Sequence, residues 1–212
     1  MFFIRHGCIL EKSAMEDNIY EALYRYTRAL SVALGFRDQM TQLHSERVRA
    51  LSVELGKRCR LDEQEIESLK VGSSFHDIGK IGIADRILLK PAPFDDDEWK
   101  IMKRHPEIGE RIMLSTGFEG AELAARVIRH HHEHYDGGGY PDGLSFEQIP
   151  VCARIISIAD SYDAMAVTRS YHSARSHQQI MDILERETGR KHDPDLMGIF
   201  RGFIENSEFR AA

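Results

Sequence analysis

At 212 residues and 42% apolar content, the chain has core material for one domain, which excludes a disordered segment. Its formal charge of -6 excludes a general nucleic-acid binder, because polyphosphate affinity comes from clustered Lys and Arg. A small anionic substrate stays open if the site supplies its own cations. Cys8, Cys59 and Cys152 are odd in number, far apart and without CxxC spacing, so they read as free thiols of a reducing cytoplasm. The opening MFFIRHGCIL is broken by Arg5 and His6 and is too short to span a bilayer.

The predicted elements are nearly all helices. Ile19, Leu23, Tyr26, Leu30 and Leu34 recur at three- and four-residue steps, and Gly35 stands where that helix should stop. A short turn then leads to His44–Cys59, patterned by Val48, Leu51 and Leu55. Asp62 followed by Glu65 predicts a capped start for a helix through Ile66, Leu69 and Phe75 towards His76. Gly79, Gly82, Pro91 and Pro93 mark a loop-rich passage. FDDDEWKIMKRH predicts a short helix with an acidic first turn, which suits the helix dipole. Further helices follow Pro106, run from about Ala121 into a histidine cluster, and cover Ile155–Val167, Gln178–Arg186 and Pro194–Ile204. A glycine loop spans Asp136–Gly143. No alternating strand pattern of useful length appears. The expected organisation is a segment at 1–13, one all-α helical bundle at 14–206 and a tail at 207–212.

Four of the eleven histidines fall within RHHHEHYDGGGYPDG, from Arg129 to Gly143. His76 and Asp77 form an adjacent pair near a helix end, where an imidazole and a carboxylate can reach one small volume. Lys80, one turn later, projects its charge to the same side. His44, His105 and Asp160 add candidate ligands, the last among Ile156, Ile158, Ala159 and Ala164. A carboxylate in apolar surroundings needs a partner or a metal. Arg154 is the alternative partner. Helical bundles commonly build metal sites between facing helices.

These motifs together resemble the HD-GYP family, a branch of the HD-domain metal-dependent phosphohydrolases. The matching pieces are HSERV at His44, HDIGKIG from His76, His105 with Pro106 and Gly109, HHEHYDGGGYPDGL from His131, IPVCARIISIADSYDAM, and RSYH from Arg169. The resemblance implies a single HD-domain-like bundle with its metal centre in the core. It implies a cyclic-di-GMP phosphodiesterase of bacterial second-messenger signalling, yielding linear pGpG and/or GMP through a hydroxide activated by two metals. Carried over by position, the ligands are His44, His76, Asp77, His105, His131, His132 and Asp160, with Asp77 bridging. That donor set has no thiolate and suits iron or manganese, and less selectively zinc, cobalt or nickel. Lys80 is expected to hold a phosphate oxygen in the transition state, and Gly139, Tyr140, Pro141 and Arg169 to meet substrate. Asp163 matches an acidic family position, with a catalytic role and a capping or supporting role both open. The alternatives are an inactive cyclic-dinucleotide receptor or interaction module, another HD-type phosphohydrolase, and a phosphodiesterase preferring 3',3'-cyclic GMP-AMP. A diguanylate cyclase or a sensor protein is the expected regulatory partner, since the length leaves no room for the sensor region that relatives carry. No nucleic-acid polymer or membrane is expected, a dimer is open, and the expected compartment is the cytoplasm.

Two positions depart from the family pattern. Met40 stands where some members carry a glutamate ligand to a third metal, so two metals are expected. His172 replaces a basic residue, which weakens the case for substrate binding there. His131 and His132 are the expected ligands of the cluster: adjacent helical positions point about 100° apart, so they either serve different metals or need the helix to fray. His130 and His134 are assigned to supporting or surface roles. His6, His177 and His192 sit in no motif and are expected to face solvent. The acidic run at Asp95 and the charged run at Glu185 read as solvated faces, and Met113, Met165, Met181 and Met197 as core.

Overall fold

The computed structural model describes residues 22–25, 27–37, 39–167 and 174–211. Residues 22–25 and 27–37 are helical (α1). There follow α2 (Gln39–Arg58), α3 (Glu63–Phe75), α4 (Asp85–Leu88), α5 (Asp96–Met102) and α6 (His105–Leu114). The chain continues through α7 (Ala121–His130), α8 (Val151–Ala166), α9 (His177–Glu187) and α10 (Pro194–Ile204). Among the described residues there is no strand, only an isolated bridge between Thr188 and His192. The all-α expectation holds.

Local chemistry sets most boundaries. Asp62 caps α3 by accepting from the Glu65 amide, while Glu65 returns a bond to the Asp62 amide. Asp95 and Glu98 repeat that reciprocal pair at α5, where Asp96 and Asp97 complete an acidic first turn. Pro106 lies in the first turn of α6, where its missing N–H costs no hydrogen bond. Two expectations shift. Gly35 does not end α1, which stays helical to residue 37, and the passage after Asp77 holds a 3-10 turn (Ile78–Gly82) and α4 rather than open loop. A single glycine costs a helix only about 1 kcal/mol, less than the packing of Leu23 and Leu34 contributes.

Two apolar clusters carry the fold. The larger joins α2, α3, α8, α9 and α10 through Val48, Leu51, Leu69, Ile156, Leu184 and Phe200. The other joins α1, α3, α6 and α7 through Leu23, Leu34, Phe75, Met113, Ala124 and Ile128. Helices α3 and α7 contribute to both, with Leu69 and Val127 on one side and Phe75 and Ile128 on the other. Their C-terminal ends are therefore held from two directions, and those ends carry His76 and His131. Met113, Met181 and Met197 are buried and Met165 is partly so, as their spacing predicts. Phe209 and Ala211, within the stretch assigned to a tail, also lie against the larger core.

His177 and His192 correct the sequence reading, because both are buried. His177 is flanked by the Tyr162 hydroxyl at 2.9 Å and Glu205 at 3.1 Å. His192 sits 3.3 Å from Glu187 in the turn between α9 and α10. Partners inside the fold offset the penalty for burying the His177 imidazole, whereas His192 has only the nearby Glu187 carboxylate and both its ring nitrogens lack a hydrogen bond. His6, the segment 1–13, Cys8, Arg169 and His172 lie outside the described residues, as does the side chain of Met40.

Candidate metal centre

Three of the candidate histidines share one device. His76 follows the last residue of α3, His131 follows the last residue of α7, and His105 comes three residues after the end of α5. A helix leaves its final carbonyls without intrahelical donors. The Nδ1–H of His76 donates to the Ser73 carbonyl at 2.8 Å, that of His105 to Met102 at 2.9 Å, and that of His131 to Ile128 at 2.6 Å. Each bond fixes the tautomer and leaves Nε2 bare, the state a metal ligand requires.

The bare nitrogens converge. His105 Nε2 and His131 Nε2 are 3.3 Å apart, and His76 Nε2 is buried with no hydrogen-bond partner. Burial, with the neighbouring imidazoles, holds His131 down at about 3; burial first, with Lys80 among the opposing charges, holds His105 at about 4. Both rings are thus held towards the neutral form, with their Nε2 atoms facing each other across 3.3 Å. A cation bound between them would satisfy both lone pairs. The donors fit a divalent metal.

The candidate ligand atoms fall into two groups, each within 4.8 Å: His44, His76 and Asp77 in one, and His105, His131 and His132 in the other. Asp77 lies between them, with Oδ2 3.6 Å from His76 Nε2 and Oδ1 3.4 Å from His105 Nε2. Burial opposes its charge, but the Lys80 ammonium and the surrounding imidazoles hold its carboxyl well below the usual range. Lys80 Nζ donates to Asp77 Oδ2 at 2.6 Å, on the side that the one-turn spacing predicts. The turn after Asp77 is pressed onto α6: a Cβ on Gly79 would lie 1.9 Å from the His105 carbonyl oxygen. Only glycine allows that approach, and it fixes the distance between Asp77 and His105.

His44 comes from the second turn of α2 and faces α8. Its Nε2 lies 3.0 Å from Asp160 Oδ1, and its Nδ1 donates to Asp163 Oδ2 at 2.7 Å. Asp160 and Asp163 are one turn apart and so share a face. Asp163 also accepts two bonds from Arg47, at 2.6 and 3.0 Å. Desolvation pulls His44 down, but the Asp160 and Asp163 carboxylates outweigh it and raise the imidazole to about 9. Without a metal, a proton supplies the positive charge the two carboxylates demand. Of the two roles open for Asp163, the geometry favours support: it orients His44 from behind. Arg47, which the sequence did not single out, holds it there. Arg154 takes Asp193 as partner, leaving Asp160 to the centre.

The histidine cluster resolves in favour of a helix that ends early. Helix α7 stops at His130, and His131 and His132 turn in together beside His105, ring centroids 4.0 Å apart. His132 stacks on Tyr140 at 4.9 Å and 29°, which places the glycine loop against the ligands. Gly139 serves that loop rather than open space, since a Cβ there would lie 2.2 Å from the His134 amide nitrogen. His130 and Glu133 hold the loop from below. His130 Nε2 meets Asp142 at 2.9 Å, and Glu133 Oε1 accepts the Asp142 and Gly143 amides at 2.8 and 3.1 Å.

Comparison with known proteins agrees with this geometry. A family model described as HD domain matches residues 28–196. The chain is 35% identical over 194 residues to the "Cyclic di-GMP phosphodiesterase" of Thermotoga maritima, covering 91% of this chain and 53% of that protein. It is 36% identical over 191 residues to the "3'3'-cGAMP-specific phosphodiesterase 2" of Vibrio cholerae, covering 90% and 37%. The chain thus spans about half or less of the length of these curated relatives. A solved HDG"Y"P protein from Bdellovibrio bacteriovorus superposes with a TM-score of 0.66 at 17% identity, over 92% of this chain and 63% of that one, which shows a shared fold. The chain belongs to the HD-domain family, and its GGGYPDG loop around Tyr140 and Pro141 resembles the signature of the HD-GYP branch.

Proposed function

We propose that the chain is a metal-dependent phosphodiesterase that hydrolyses a cyclic dinucleotide, cyclic-di-GMP foremost, to linear pGpG and/or GMP. The observation that carries this reading is the pair of ligand groups meeting at Asp77, with three imidazole tautomers fixed by helix-end carbonyls. His44, His76, Asp77 and Asp160 would hold one divalent ion; His105, His131 and His132, with Asp77 shared, would hold the other. Iron or manganese suits this imidazole and carboxylate set, with zinc, cobalt or nickel less selective. Two such ions, when bound, supply an acidified water and neutralise phosphodiester charge.

The chain's own residues do the rest. Lys80 places an ammonium beside Asp77, where it can receive a phosphate oxygen as charge builds. Tyr140 stacks on His132 from the loop side. Gly139 and Pro141 set that loop, and Arg169 would supply a further cation to the phosphates. Asp163 keeps His44 in its ligating tautomer.

Relatives named for cyclic di-GMP and for cyclic GMP-AMP are equally similar, so base preference is decided by assay. Anaerobic loading with Fe(II) or Mn(II), followed by chromatography of both substrates, is expected to show turnover of cyclic-di-GMP. Tight binding without turnover of either would favour the receptor reading instead. Asp77→Ala is expected to lose both metal and activity; an active, metal-free variant would sink the mechanism. Among the described residues no helix is long and apolar enough to cross a membrane, which fits a cytoplasmic site of action. A diguanylate cyclase or sensor protein is the proposed regulatory partner.

A further inference from the structure

The centre continues outward as a run of aromatic rings. Tyr140 stacks on His132 and also meets the indole of Trp99, centroids 6.4 Å apart at 76°. Trp99 in turn lies against Phe94, 6.1 Å away and nearly parallel at 17°. The indole is therefore held in position, yet it is 45% exposed on the short, doubly capped α5. Lys103, one turn after Trp99 on the same face, sets its Nζ 5.8 Å from the Tyr140 ring centre.

Two steps thus lead from a candidate metal ligand to a half-exposed indole flanked by Phe94, with the Lys103 ammonium over the intervening Tyr140 ring. A nucleotide has a matching layout, with its phosphate and its base at opposite ends of the ribose. A phosphodiester placed at His132 and Asp77 would carry its base out past Tyr140. We infer that Trp99 is the base-stacking platform of this site, with Phe94 bracing the indole and Lys103 facing the phosphate that the stacked base carries. Stacking on a flat aromatic face accepts any purine, so Trp99 contributes affinity and leaves the choice between guanine and adenine to polar contacts elsewhere. The assignment rests on the phosphodiesterase reading above.

Trp99 is the only tryptophan of the chain, so its fluorescence reports this position alone. The probe is a phosphorothioate analogue of cyclic-di-GMP, which resists hydrolysis, titrated into the metal-loaded protein by calorimetry and by fluorescence together. Binding should quench the emission with the calorimetric midpoint. Trp99→Ala should weaken calorimetric binding by roughly tenfold, and Trp99→Tyr should recover most of that loss. In steady state Trp99→Ala should raise KM while leaving kcat within about twofold. Calorimetric binding with unchanged emission and unchanged affinity in Trp99→Ala would overturn the platform and leave the phosphodiesterase reading standing. No calorimetric binding by the wild-type protein would overturn both.

Discussion

His105 Nε2 and His131 Nε2 stand 3.3 Å apart, each with its Nδ1 hydrogen committed to a carbonyl. A metal bound there would favour the folded state over the unfolded chain and so add stability by mass action. At a free metal concentration about 100 times the dissociation constant the gain is about 2.7 kcal/mol. For a domain of this size, chelation is expected to lower Tm by roughly 5–10 °C. Calorimetry with and without chelator checks this, and an unchanged Tm would speak against the cation.

Asp163 reaches the centre only through His44. Asp163→Ala is expected to lower metal affinity or activity about 10- to 100-fold, as losses behind a ligating histidine do. Asp163→Asn, which can still accept the Nδ1–H, should recover part of it. A change in the pH profile with full metal content would point instead to proton transfer by Asp163 itself.

Gly79 and Gly198 make a matched pair of substitutions. A Cβ on Gly79 meets the His105 backbone, whereas nothing lies within 4 Å of one on Gly198 in α10. Gly79→Ala is expected to cost about 3 kcal/mol, the upper end for overpacking, and to lose metal by parting Asp77 from His105. Gly198→Ala should instead stabilise by about 0.5–1 kcal/mol, because glycine is a poor helix former. Denaturant midpoints on both variants decide it.

Asp142 ties the glycine loop to α7 and has a pH signature. Bonds from Arg129, against a smaller opposing burial, and then from His130, hold its carboxyl at about 2 against an ordinary 3.8. A depressed folded pKa means the contribution is complete above about 3.8 and disappears as the pH falls towards 2. Asp142→Asn should therefore be less stable than the parent at pH 6, with the difference fading between pH 4 and 2. A gap that stays constant across that range would refute the linkage.

Much of this site was legible because its donors lie in short contiguous motifs. His76 with Asp77, and His131 with His132, need only a helix end to bring them inward. Support from distant residues left no such trace. Arg47 and Asp163 are 116 residues apart in sequence, and nothing local marks their bond. His177 and His192 looked solvent-facing for the same reason, since Tyr162 and Glu187 become partners only after folding. Trp99 sits in a run that patterns as an ordinary short helix, so its place beside Tyr140 follows from tertiary packing alone. Gly35 misled because glycine only weakens a helix, whereas the cores on both sides of α3 and α7 decide which segments continue.

The three helix-end carbonyls also bear on how the protein ages and recovers. If the last turn of α3, α5 or α7 unwinds, its histidine loses the acceptor that set its tautomer and the ligand atom becomes one of two competing nitrogens. Where these histidines ligate a metal, its loss and end-fraying would be a single event, so slow exchange of the Ser73, Met102 and Ile128 turns should track metal residence time. A sample's metal content would serve as a gauge of how many molecules still have all three ends wound.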